Sequence, residues 1–83
     1  MTKPTESEIR EVLLSLAMER GRGATFCPWE AAKRLPVSDP KAILPEIRFV
    51  SRTLVEQGRL RCTRKGMPVC PEHPGGPIRL GLA

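Results

Sequence analysis

The apolar residues change their spacing at Gly58, and that change limits what this 83-residue chain can fold into. Before Gly58 they recur every three to four residues, the period of a helix; after it they alternate, the period of a strand. Helices therefore come first and strands last, around one small core. A chain of this length buries only about 60–65% of the surface its unfolded form exposes. That leaves no room for a two-domain active site.

Local signals mark the elements. Thr5-Glu6-Ser7-Glu8 has the pattern of a capping box, and Ile9, Val12, Leu13, Leu16 and Ala17 follow on one stripe. The pattern predicts a helix over about residues 6–20, closed by the Gly21-Arg22-Gly23 turn. Ala24 to Cys27 reads as a short extended piece. Pro28 suits a first helical position, so a second helix is expected over 28–35 with Ala31, Ala32 and Leu35 inward. Asp39 and Pro40 start a short turn over 40–44. Pro45 then opens the main helix, which runs to Gln57. Ile47, Val50, Ser51 and Leu54 form its inner stripe; Arg48, Phe49, Arg52 and Glu56 point the other way. Beyond Gly58, Leu60 and Cys62 alternate with Arg59, Arg61 and Thr63. Lys65-Gly66 supplies a turn, Met67 to Cys70 returns, Pro71 to Pro77 is an irregular loop, and 78–82 alternates again. The expected core is Ile9, Val12, Leu13, Leu16, Leu35, Ile47, Val50, Leu54, Leu60 and Ile78.

Helix, short strand, helix, longer helix and hairpin is the order of a winged helix-turn-helix. The expected fold is mainly α with a small antiparallel β wing, as one domain over 1–83. The hairpin argues against a plain three-helix bundle. The stretch Phe26 to Ala32, with its F-C-P-x-E-x-A pattern, the run Leu44 to Arg48, the turn at Gly58, the Lys65-Gly66 tip and the G-P-I-R-L ending from Gly76 to Leu80 resemble an uncharacterised bacterial family of small winged-helix-like domains of unknown function. The resemblance covers nearly the whole chain. It implies the fold and carries no activity. Trp29 and Cys70 depart from the family's pattern, which has a small or polar residue at the first position and an acidic one at the second.

Charge supplies the functional clue. The chain carries 14 Lys and Arg against 9 Asp and Glu. Residues 48–65 hold six of those bases and one acid, Glu56, so the whole net charge of +5 lies there and the remainder is balanced. A localised basic stretch is the footprint of a polyanion partner, and also of a surface that keeps a small protein soluble. In a DNA-binding winged helix the third helix enters the major groove and the wing touches the backbone. Arg48 and Arg52 lie one turn apart for base contacts, and Arg64 and Lys65 sit at the tip for phosphate. The expected function is that of a DNA-binding winged-helix protein, a small transcriptional regulator or accessory factor, with double-stranded DNA as partner. The alternative is an adaptor that binds an acidic protein with the same face and no nucleic acid.

Other constellations are weaker. Cys27, Cys62, Cys70 and His73 could in principle form a Cys₃His zinc site, with Pro71 and Pro74 flanking the C-x-x-H spacing; buried free cysteine is the commoner role, and no metal or cofactor is expected. Cys27 before a helix start could be reactive, but suits a small core position better. Trp29 and Phe49 are interface candidates, or Trp29 lies over the core as a lid. One histidine, no tyrosine and no phosphate-binding Gly-rich loop leave an enzyme unsupported. The segment Met1 to Glu6 lacks an apolar signal core, and three cysteines cannot all pair within one chain. A cytoplasmic, reducing setting with no membrane contact is therefore expected.

Overall fold

The computed structural model describes residues 3–73 and 75–83; Met1 and Thr2 of the N-terminal segment, and Pro74 of the loop before the last strand, lie outside the described residues. Three helices are followed by an antiparallel sheet: α1 (Glu6–Arg20), α2 (Pro28–Arg34), α3 (Leu44–Glu56), β1 (Leu60–Arg64), β2 (Met67–Pro68) and β3 (Arg79–Leu82). A 3₁₀ turn over Pro40–Ile43 precedes α3.

The capping box forms as expected. Glu8 N donates to Thr5 Oγ1 at 3.2 Å and Thr5 N donates to Glu8 Oε1 at 3.0 Å. Two orphan amides are thereby satisfied at the start of α1. Asp39 Oδ1 accepts from Lys41 N at 3.2 Å and starts the 3₁₀ turn. That turn runs straight into α3, because Leu44 is already helical at φ −57°, ψ −40°. The main helix therefore begins one residue before Pro45, whose missing N–H falls among amides that have no helical partner anyway. It ends in a Schellman motif: Gly58 N donates to Val55 O and Arg59 N to Leu54 O, at 3.0 and 2.9 Å. Gly58 sits at φ +75°, which a residue with a Cβ adopts only with strain.

The sheet order is β2-β1-β3. Arg64 pairs with Met67 across the two-residue Lys65-Gly66 tip, and both tip residues have positive φ, as a type I′ hairpin requires. The returning strand stops at Pro68, short of the expected Cys70. Proline has no N–H to donate, and beyond it Val69 N donates to Cys62 O at 3.1 Å. β3 lies on the other edge of β1, setting Leu60 against Leu82 and Cys62 against Leu80. Phe26 extends the sheet by one bridge, exchanging bonds of 2.8 and 2.7 Å with Leu80.

One core joins these elements. Nine of the ten expected core residues are buried, and Val12 is half-buried at the edge of the cluster. Phe26 and Leu80, which the bridge holds together, are fully buried at its centre. The arrangement is winged-helix-like.

Candidate nucleic-acid interface

Arg48, Phe49 and Arg52 come from the outward side of α3, and Arg64 and Lys65 from the end of β1 and its tip. The loop from Pro71 to Pro77 decides how much of this face is free. Glu72 reaches back so that Arg52 Nη1 donates to its Oε1 at 2.7 Å, while Arg52 Nε donates to Glu56 Oε2 at 3.2 Å. Two carboxylates therefore hold Arg52, and its pKa is raised by the Glu72 bond first and the Glu56 bond second. Glu56 alone was expected near this face. The second acid is 20 residues away in sequence and had no local signal.

Arg48 is half-buried rather than free in solvent. It lines a cleft of about 160 Å³ with Cys27, Pro28, Trp29, Leu44, Gly76, Pro77 and Ile78. Its Nε is shielded from water and has no hydrogen-bond partner among the described residues. Arg64 shares that condition, with a buried, unpartnered Nε. It lies against Gly76, where a Cβ would come within 2.5 Å of Nε, so a larger residue there would push the end of this arginine aside. Lys65 is exposed at the tip. Arg59, just before β1, and Arg61, on its outer side, are exposed as well. Among the described residues, none of Arg48, Arg59, Arg61, Arg64 and Lys65 has a carboxylate within ion-pair distance. By contrast, Arg20 and Arg34 pair with Glu30 and Glu19, where α1 meets α2.

The two aromatic candidates are exposed, Trp29 at 37% and Phe49 at 45%. Trp29 forms part of the cleft beside Arg48 and Phe49 does not, so they are not joined as one cleft wall. Cys27 N donates to Glu30 Oε2 at 3.0 Å, and this bond, ahead of the Arg20 guanidinium, lowers the Glu30 pKa. The sulfur set does not gather at one point. Cys62 is buried, Cys70 exposed and Cys27 in the cleft, and no three metal-ligating side chains gather among the described residues. Burial, and secondarily Cys70, pushes the Cys62 thiol from 9.0 to about 11. Among the described residues, no helix is long and apolar enough to cross a membrane.

Three helices, a basic hairpin and an α3 face rich in arginine define a winged-helix-like protein with a cationic wing. The sequence profile of DUF3253, described as a protein of unknown function, matches residues 6–83, and the chain belongs to that family. No curated protein matches it. Three of the segments that carry the resemblance, around Cys27, Leu44 to Arg48 and Gly76 to Ile78, meet at the Arg48 cleft.

Proposed function

We propose that this protein binds duplex DNA, with α3 toward the major groove and the wing on phosphate. The observation that supports it is the wing's charge. Arg59, Arg61, Arg64 and Lys65 lie within seven residues and, among the described residues, face no carboxylate partner. A concentration of unneutralised cations releases counterions from a phosphate backbone, which drives association. Base reading is the smaller part, because Glu56 and Glu72 hold Arg52 and Arg48 is half-buried. The role is one of binding, as a small regulator or accessory factor, with no catalytic step. A titration of two unrelated duplexes by fluorescence anisotropy tests it. Both should bind with similar affinity at low salt and weaken together as salt rises. Binding to neither duplex at low salt rejects the proposal.

One observation favours the adaptor reading instead. Trp29 and Phe49 are exposed aromatics, the residue type enriched in protein interfaces. If DNA binding fails, an acidic protein that contacts these rings and the wing is the partner to seek.

A further inference from the structure

The Arg48 cleft has features that DNA binding does not use. Its walls are apolar on three sides: Pro28 and Trp29 from α2, Leu44 from the start of α3, and Pro77 and Ile78 from the approach to β3. Its charged lining residue is Arg48, and no acidic residue lines it. Arg48 brings a guanidinium whose Nε is buried and unpartnered among the described residues. With Nε held against the protein, a carboxylate oxygen is a strong acceptor for the Nη groups of this guanidinium. Arg64, with the same unsatisfied Nε, lies against Gly76 in the cleft wall and adds positive potential. Size narrows the ligand further. The cleft measures about 160 Å³, and a cavity of about 150 Å³ holds a benzene ring.

We propose that this cleft is a binding site for a small aromatic carboxylate. The ring sits among Pro28, Trp29, Leu44 and Pro77, and the carboxylate pairs with the Arg48 guanidinium. Trp29 supplies a face on which the ring stacks offset or edge-on. The planar guanidinium offers paired N–H donors that match a carboxylate, which an ammonium cannot reproduce. The site does not rest on the DNA reading: its ligand is a small molecule and its direct contacts come from the cleft, with Arg64 of the wing adding only potential.

Trp29 is the only tryptophan in the chain, so its fluorescence reports on the cleft directly. Benzoate is the probe, with acetate supplying the charge without the ring and benzamide the ring without the charge. Benzoate should change the emission saturably, and the amide NMR signals that move should be those of Cys27, Leu44, Gly76 and Ile78. Acetate and benzamide should each bind roughly tenfold more weakly or worse, the size of losing one charge-assisted contact. Arg48→Met should weaken benzoate by a similar factor or more, while Arg10→Met, on the exposed side of α1, should leave it unchanged. If Arg48→Met does not fold, Arg48→Lys keeps the charge and must still bind more weakly. A benzoate response no tighter than that of acetate, or one that survives loss of the Arg48 guanidinium in a folded variant, overturns the proposal.

Discussion

Arg52 shows how a residue's chemistry depends on partners that its own segment does not reveal. Its spacing from Arg48 is plain in the sequence, and so is the i,i+4 pair with Glu56. The Glu72 bond comes from a loop 20 residues on and occupies donors that the proposed base reading would need. Glu72→Gln should therefore release Arg52 and raise affinity for DNA, steepening the salt dependence by about 0.9 if one phosphate contact is gained. Anisotropy titrations of both proteins at several salt concentrations check this, and unchanged affinity would mean that Arg52 does not face the DNA. Cys62 gives a second expectation at this scale. Its thiol is buried and its pKa is raised from 9.0 to about 11. The folded state thus favours the protonated thiol. The associated stability is present below pH 9.0 and is lost as pH rises toward about 11. At mildly alkaline pH a thiol reagent should modify exposed Cys70 well before Cys62, and Cys62 should react at the rate of global unfolding. Mass spectrometry of the labelled protein gives the order.

The elements were largely legible because their signals are local. The Thr5–Glu8 box, Pro28, Asp39 and Gly58 each act through neighbours within a few residues, and each marks an observed boundary to within a residue. The hairpin tip was legible for the same reason. What lay beyond local reading was pairing across the chain. Phe26 gives no sign of Leu80, 54 residues away, yet their bridge closes the sheet over the core. The Arg48 cleft joins three distant segments, so no spacing could announce it. Two variants test the element assignments. Leu54 is fully buried on α3, and Leu54→Ala should cost about 2–5 kcal/mol, a large part of what holds a domain this small together. Lys65 holds φ at +53°, a strained value for a residue with a side chain. Lys65→Asn suits the type I′ turn and should stabilise the protein by about 1 kcal/mol while removing a wing charge. Thermal melting should move down for the first and up for the second.

On the whole molecule, charge is segregated. The α1–α2 side neutralises its arginines Arg20 and Arg34 with Glu30 and Glu19, whereas the wing keeps its cations unpaired among the described residues. Self-repulsion within the wing opposes folding, and a polyanion partner relieves it. In the proposed function these wing charges, more than the α3 arginines, hold DNA. The most direct measurement is the salt dependence of duplex binding for the unaltered protein and for an Arg61→Ala, Lys65→Ala variant, both substitutions lying on exposed wing positions. The slope of log affinity against log salt should fall in magnitude by about 2, with both duplex sequences affected alike. An unchanged slope in a variant that melts like the parent would contradict it.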